Sequence, residues 1–440
     1  MALLTSAPKG TQDILPSQSG NWHYIERKAL SIAERYGFRE MRTPTFEHTE
    51  LFLRSVGDTT DVVQKEMYTF RDKKDRSITL RPEGTAGVVR AAIENGLLNG
   101  QLPLKISYIV NCFRYEKPQA GRLREFHQFG VELFGADGAA ADAEVISLAE
   151  EALSSLGVTR IRLMLNSIGC KTCRPEYQKK LRAYFQEHEG ELCETCKGRL
   201  LTNPMRIIDC KSPACKKLAE SAPKMIGHLC PECEAHFAGL KKRLDAMGIA
   251  YQIDPDIVRG LDYYVRTVFE FVTDAIGAQG TVCGGGRYDG LVETVGGPAL
   301  SGIGFAIGLE RLLLVMAASG AEFPPAKGCD LYLAAVGDAA SAEAGAIARK
   351  LRLEGFSVET DLTGRSLKAQ MRYADKIGAA YSAVLGESEL AGGTVKVRDM
   401  AGGGQAELPL GDGFLSAFYQ LSLSKSVSDA ADAAARHGQE

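Results

Sequence analysis

The chain has 440 residues, 45% hydrophobic and 24% charged, with a formal charge of −3. That composition is ordinary for a soluble globular protein with room for two or three cored domains. The charge excludes a uniformly basic protein, so any contact with nucleic acid must use local basic patches. Met1–Gly10 lacks the pattern of a secretion signal, and the longest apolar run, near Leu312–Ala318, is too short to cross a bilayer. A cytoplasmic protein with no membrane contact is therefore expected. Eight of the eleven cysteines lie between Cys170 and Cys233, leaving Cys112, Cys283 and Cys329 elsewhere. In a cytosolic chain such clustering favours metal binding over disulfides.

In chain order, helical spacing of apolar and aromatic residues predicts a helix over Trp22–Tyr36, stopped by Gly37, and Phe38–Pro44 reads as a strand closed by proline. Leu80–Thr85 reads as a strand-to-helix turn in which Thr85 caps a helix through Val88 and Ile93. Equally, Gly84 lets a ligand approach while Glu83 and Thr85 offer acceptors to an ammonium. Ile106–Tyr115 and Phe126–Phe134 read as antiparallel strands joined by the polar loop Glu116–Glu125. Residues 170–248, rich in Lys, Glu and Cys with a helix over Tyr177–His188, read as an insertion. Arg259–Tyr264, Val268–Thr273 and Gly302–Ile307 read as strands, with a helix from Leu309.

Strands not regularly interleaved with helices indicate an α+β fold with an antiparallel sheet and flanking helices. After Pro324-Pro325 the pattern becomes strand, helix, strand, helix, strand over Asp330–Val336, Ala339–Glu354, Ser357–Thr360, Ser366–Ile377 and Tyr381–Leu385, a compact α/β domain. The expected units are 1–325, with the insertion inside it, and 329–421, followed by a mobile tail over 422–440.

No G-x-x-x-x-G-K-[ST] loop is present, and Gly302-Ile303-Gly304 followed by Gly308 does not keep dinucleotide-binding spacing. Phosphate chemistry, if present, must come from side chains. Arg114 and Glu116 share one face of the first hairpin strand, Gln128 and Glu132 share one face of the second, and Arg122 and Arg124 lie in or beside the loop. Three cations can hold a triphosphate and its metal, and a carboxylate with an amide can hold a small polar substrate; alone, the same hairpin is equally an exposed one with a solvated loop. Arg259-Gly260-Leu261-Asp262-Tyr263-Tyr264 joins a guanidinium suited to phosphate with phenols suited to a ring nitrogen. As a strand it would send Asp262 and Tyr264 to one face and Tyr263 to the other; alone it reads as a strand end with a solvated Arg and half-buried tyrosines. Gly284–Gly290 reads as a glycine-rich turn beside an arginine, and Gly302–Arg311 as a glycine-punctuated strand entering a helix. Backbone approach to a flat ring, topped by an arginine, suits adenine.

The helix and strand ending at Pro44, Phe113-Arg114-Tyr115-Glu116 with its loop and returning strand, and Gly308-Leu309-Glu310-Arg311 together resemble the three signature motifs of class II aminoacyl-tRNA synthetases. Leu80–Thr85, Arg259–Tyr264 and Gly285–Leu291 narrow the resemblance to the histidyl-tRNA synthetase family. Thr363-Gly364-Arg365-Ser366-Leu367-Lys368 resembles part of that family's anticodon-binding domain.

The resemblance implies ATP-dependent ligation of L-histidine to tRNA(His) through histidyl-adenylate, with Mg2+ accompanying ATP and a homodimer closed through the motif around Pro44. It implies that Arg114 and Arg259 hold the α-phosphate, that Arg122 holds the outer phosphates with Glu116 beside it, and that Arg311 covers adenine. Glu83, Thr85 and Gln128 would hold the amino group of histidine, and Glu132 and Tyr264 would bracket its imidazole with Tyr263 lining the pocket. The second reading is a catalytically silent regulatory subunit of the first enzyme of histidine biosynthesis, which would lack the anticodon-binding domain, the Arg259 segment and the Arg311 motif. Cys170-x-x-Cys173, Cys193-x-x-Cys196, Cys210-x₄-Cys215 and Cys230-x-x-Cys233 have the pair spacing of structural zinc sites, though such pairs can also be remnants. His188, His228 and His236 read as surface residues, and the insertion's charged helices as a possible contact for the tRNA acceptor arm.

Overall fold

In a computed structural model of the chain, residues 4–57, 60–276, 280–325 and 328–437 are described. The chain divides after Pro324 into two compact units. The first is built on an eight-stranded sheet in the spatial order Arg39–Glu40, Leu104–Phe113, Glu125–Phe134, Gly302–Gly308, Thr281–Arg287, Val265–Val272, Arg162–Ser167, Tyr251–Ile253. Only the two outermost pairings are parallel; the five between them are antiparallel.

Period-two alternation gives the sheet two unlike faces. Phe129, Val131, Leu133, Phe269, Phe271, Ile303, Phe305 and Ile307 join one apolar core with Trp22, Ile25 and Ile32 of the helix Pro16–Arg35 and Val145, Ile146 and Leu148 of the helix Ala139–Ser155. Each such large side chain taken from water contributes about 1.5–3 kcal/mol. The intervening positions, Gln128, Glu132, Gly304, Ala306, Gly308 and Gly284, line a cleft on the opposite face. The polar face was thus fixed by the same alternation that built the core.

Several local expectations are corrected. The strand expected over Phe38–Pro44 is only Arg39–Glu40, opposite Ile106 and Ser107. The backbone beyond it is held by Arg81, whose guanidinium donates to the carbonyls of Thr43, Pro44 and Asn111 at 2.8, 3.0 and 2.6 Å. Thr85 does not cap its helix; the Glu83 carboxylate accepts the N–H groups of Thr85 and Ala86 at 2.7 and 2.8 Å, satisfying two donors of the first turn. Gly284–Gly286 and Arg287 belong to a strand and not to a turn. The three-stranded sheet Phe46–His48, Ser77–Leu80, Thr69–Arg71 was not foreseen.

Arg287 is fully buried and donates to both carboxylate oxygens of Asp142. Asp142 also meets Nε2 of His236 at 3.1 Å, so His236, whose side chain is 7% exposed, is a buried partner and not a surface residue. Arg287 therefore serves the fold, and not an adenine ring.

The second unit carries a five-stranded sheet in the order Val358–Thr360, Leu331–Ala335, Tyr381–Leu385, Thr394–Asp399, Gln405–Pro409. Its first two pairings are parallel and its last two antiparallel. The hairpin Thr394–Pro409 was not foreseen. Where a mobile tail was expected from Ser422, the helix Gly413–His437 continues; the alanine-rich stretch has high intrinsic helix propensity.

The Arg287–Asp142 pair generates a test. Asp142→Asn removes the nearer of the two carboxylates paired with a buried guanidinium, leaving Asp289 at 3.2 Å, and is expected to lower the unfolding free energy by about 3 kcal/mol in a denaturant titration. Burial opposes ionisation of Asp142, but His236 and Arg287 outweigh it and lower its pKa to about 2. Because that lies below the ~3.9 of an unfolded aspartate, the pair's contribution is complete above pH ~4 and fades as the pH falls towards 2.

Candidate functional site

A cleft of about 310 Å³ opens on the polar face of the main sheet, and every residue assigned to ATP or histidine from the sequence lines it: Glu83, Thr85, Arg114, Glu116, Arg122, Gln128, Glu132, Arg259, Tyr263, Tyr264 and Arg311. They arrive from four separate regions of the chain. Glu83 and Thr85 come from the turn opening the helix Thr85–Glu94, and Gln128 and Glu132 from one face of a strand. Arg311 stands in the first turn of the helix Leu309–Ala318.

One part of the cleft is cationic. Arg114 donates through Nε to the Pro82 carbonyl at 2.8 Å, and its guanidinium lies 5.3 Å from the Phe126 ring centroid. Arg122 is ion-paired with Glu116. Arg311 donates through Nη1 to the Thr281 carbonyl at 2.6 Å; burial, followed by the nearby Arg122 charge, lowers its pKa. Arg124 does not line the cleft, but its guanidinium sits 3.8 Å from the Tyr115 ring centroid and its backbone N–H reaches the Gly10 carbonyl at 2.7 Å.

Arg259 is ion-paired with Glu270, which also accepts the Thr281 hydroxyl at 2.7 Å. Burial works against the Arg259 charge, yet Glu270 overcomes it and raises the pKa. Arg259 Nε is buried without a hydrogen-bond partner among the described residues. The guanidinium lies so close to the neighbouring strand that a Cβ on Gly284 would stand 2.4 Å from its Nη2. A side chain at 284 would push the guanidinium out of this position.

The other part is lined by phenols around one carboxyl. Glu132, 1% exposed, accepts from Tyr108 at 2.9 Å and from the Tyr288 hydroxyl. Burial raises its pKa to about 8; hydrogen bonds from Tyr288, Thr85 and Tyr108 only partly offset the lost hydration. A Cβ on Gly304 would stand 2.1 Å from Glu132 Oε2, so this glycine too is set by close approach. The rings of Tyr263 and Tyr264 are 4.6 Å apart, and Tyr263 and Tyr288 are 5.6 Å apart.

The segment Arg259–Tyr264 corrects the strand expectation: it is an irregular turn ahead of the strand Val265–Val272. Tyr263 and Tyr264 consequently line the same cleft and do not face opposite ways. Asp262 turns to Arg206 and Asn203 of the insertion, at 3.1 and 3.4 Å. Residues missed in the sequence are the supporting ones: Tyr108 and Tyr288 on Glu132, Glu270 on Arg259, and Glu310. Glu310 accepts the backbone N–H of His127 at 2.9 Å and meets its Nδ1 at 2.8 Å. A lone carboxylate between Phe269 and Phe271 was the available signal for Glu270.

Among the described residues, the insertion's cysteines form two four-sulfur sets, Cys170 with Cys173, Cys230 and Cys233, and Cys193 with Cys196, Cys210 and Cys215. Within each set all sulfurs lie within 4.8 Å of one another. Close sulfur pairs are Cys170–Cys173 at 3.6 Å and Cys170–Cys230, Cys173–Cys233 and Cys193–Cys210 at 3.8 Å.

A family model described as histidyl-tRNA synthetase matches residues 10–312, and one described as an anticodon binding domain matches residues 330–414. A histidine–tRNA ligase of Acetivibrio thermocellus is 56% identical over 93% of this chain and 98% of its own length. One of Caldanaerobacter subterraneus subsp. tengcongensis is 54% identical over 92% and 97%. The crystal structure of apo S. aureus histidyl-tRNA synthetase is similar with a TM-score of 0.79 at 39% identity, covering 92% of this chain and 97% of that one.

Glu132 offers a test that needs no substrate. Its folded pKa of about 8 lies above the ~4.3 of an unfolded glutamate, so the folded state binds the extra proton and stability falls as pH rises between these values. Glu132→Gln removes that titration. Urea midpoints of the wild type are expected to fall relative to those of the variant between pH 5 and 8; parallel profiles would contradict the burial of an ionisable carboxyl here.

Proposed function

The chain belongs to the histidyl-tRNA synthetase family, and we propose that this cleft carries out both half-reactions of a histidine–tRNA ligase. L-histidine reacts with ATP to give histidyl-adenylate and pyrophosphate, and the histidyl group then passes to a terminal ribose hydroxyl of tRNA(His), releasing AMP. The observation that supports this most is the convergence of the cationic set and the Glu132 set on one cleft. The regulatory-subunit reading is not favoured: the relatives matched over nearly the whole chain are ligases, and the anticodon-domain match is present.

Little proton chemistry is required, because the histidine carboxylate is already the nucleophile that attacks the α-phosphorus. Catalysis is positioning and charge stabilisation. Arg259 is the residue we assign to the developing α-phosphoryl charge: it is fixed by Glu270, and its Nε has no partner among the described residues. Arg114 would share that phosphate, Arg122 would take the outer phosphates, and Arg311 would cover adenine. Mg2+ accompanies ATP in this family and neutralises phosphate charge when bound; Glu116 is the carboxylate within the cationic set that suits it.

Glu83, Thr85 and Gln128 would receive the substrate ammonium. Each Glu83 oxygen that accepts a backbone N–H has a second lone pair available. Glu132 and Tyr264 would bracket the imidazole with Tyr263 beside them. An apolar amino acid would leave these groups unpaired, a penalty of the kind that yields roughly 10⁴-fold discrimination without editing.

The second unit would bind the anticodon arm. There Asp361 accepts the backbone N–H of Arg365 at 2.6 Å and the Thr363 hydroxyl at 3.2 Å, which fixes the loop ahead of the helix Leu367–Lys376. No described helix is long and apolar enough to cross a membrane. A cytoplasmic homodimer is part of the proposal on the strength of family membership, and structural zinc is assigned to the insertion's cysteine sets.

Histidine-dependent ATP–pyrophosphate exchange tests the assignment. Arg259→His is expected to lower kcat about 10²–10³-fold, with a smaller change in KM for histidine. Gly284→Ala, which displaces the same guanidinium without altering its chemistry, is expected to lower kcat by about 10²-fold. Absence of histidine-dependent exchange in the wild type would overturn the ligase reading.

A further inference from the structure

The reaction leaves the eight insertion cysteines without a task, yet the helices between them reach the catalytic turn. A tetrahedral ion with Zn–S bonds of about 2.3 Å has sulfur–sulfur edges of about 3.8 Å. The close pairs at 3.6 and 3.8 Å fit that edge and are far from a disulfide, at about 2.05 Å. Backbone N–H groups also point at the sulfurs. Cys170 donates to Cys173 Sγ at 3.1 Å, Thr172 to Cys170 Sγ at 3.3 Å, Cys193 to Cys215 Sγ at 3.3 Å and Ser212 to Cys210 Sγ at 3.4 Å. Donors of this kind orient and stabilise metal-bound thiolates. The donor set is all-sulfur and closed, which suits a structural ion and leaves no position for substrate.

The segments between the sulfur pairs are short, among them the helices Glu194–Thr202, Met205–Ile208 and Pro213–Ser221. Helices of such length do not persist unaided in water. Beside each sulfur set, nevertheless, an arginine donates to the backbone of the turn. Arg174 directly follows Cys173; it donates through Nε to the Ile168 carbonyl at 3.0 Å and through Nη2 to the Tyr264 carbonyl. Arg206 lies in the short helix just before Cys210; it donates through Nη2 to the Gly260 carbonyl at 2.7 Å and to Asp262 Oδ1 at 3.1 Å. Its own carbonyl accepts from Arg199, which reaches Asp61 at 3.0 Å. The turn lies outside the strands, so carbonyls at both of its ends are satisfied by these two side chains and not by a ladder.

We infer that the insertion holds two structural zinc ions, each of which fixes one arginine, Arg174 or Arg206, as a positioning residue for the Arg259–Tyr264 turn. Zinc here supplies tertiary structure and takes no part in adenylation. The catalytic half of the inference rests on the ligase reading; the metal and positioning halves do not.

The test uses the full chain, purified under reducing conditions without chelator. Metal analysis is expected to give about two zinc per chain, and about one for the double variant Cys193→Ser/Cys210→Ser. Less than about half an equivalent, or iron in place of zinc, would overturn the metal assignment. Arg174→Met and Arg206→Met are expected to retain both ions, to speed amide hydrogen exchange in the peptide spanning the turn by about tenfold or more, and to lower kcat of ATP–pyrophosphate exchange about 10–100-fold with smaller changes in KM. Unchanged hydrogen exchange in variants that keep their zinc would overturn the positioning role. A wild type with zinc and an arginine-dependent turn, but no pyrophosphate exchange, would instead contradict the ligase reading alone.

Discussion

The cleft depends on holding the Arg259 guanidinium, about four-fifths buried, in one place beside Glu270. A buried cation is retained only with a counter-charge, and that need propagates outward. Glu270 must occupy the cleft face of its strand, so Phe269 and Phe271 face the helical layer. The strand beyond it carries glycine at 284, where any side chain would displace the guanidinium. Arg259 itself sits on an irregular turn, which must borrow its hydrogen bonds from elsewhere, and Arg206 and Arg174 of the insertion supply them. Fold, insertion and chemistry meet in that turn.

Charge is separated within the cleft. Arg114, Arg122, Arg259 and Arg311 gather where a polyanion would lie, whereas Glu132 is surrounded by tyrosines and held mainly protonated by burial below pH ~8. The first set is suited to phosphate through fixed geometry and low local dielectric. The second is suited to a heteroaromatic group that both donates and accepts hydrogen bonds. Tyr263 and Tyr264 stand beside both sets, which is why the turn is the place where two substrates of opposite character can be brought together.

Much of this was legible where a property is local. Alternation along Phe126–Phe134 identified Gln128 and Glu132 as sharing a face, and the ordered motifs identified the arginines. What escaped had distant causes. Arg287 looked available to a ligand because nothing near it in sequence announced that Asp142 would neutralise it. Arg259–Tyr264 looked like a strand because its aromatic composition is strand-like, whereas Gly260 and the pull of Arg206 on Asp262 make it a turn. The cysteine spacings point to pairs, but which pair joins which depends on the chain folding back from Cys230 to Cys170. Thr394–Pro409 was overlooked because its strands are partly exposed, so their hydrophobic signal is weak.

The central claim is that Arg259 meets the α-phosphate while Glu132 and Tyr264 meet the imidazole in one cleft. The most direct measurement is an experimental structure of the full chain with a non-hydrolysable histidyl-adenylate analogue. The account predicts a guanidinium nitrogen of Arg259 within about 3.2 Å of an oxygen on the phosphate mimic, and a Glu132 oxygen within the same distance of an imidazole nitrogen. An analogue bound with its phosphate mimic away from Arg259, or with its imidazole outside the tyrosine-lined part of the cleft, would contradict it.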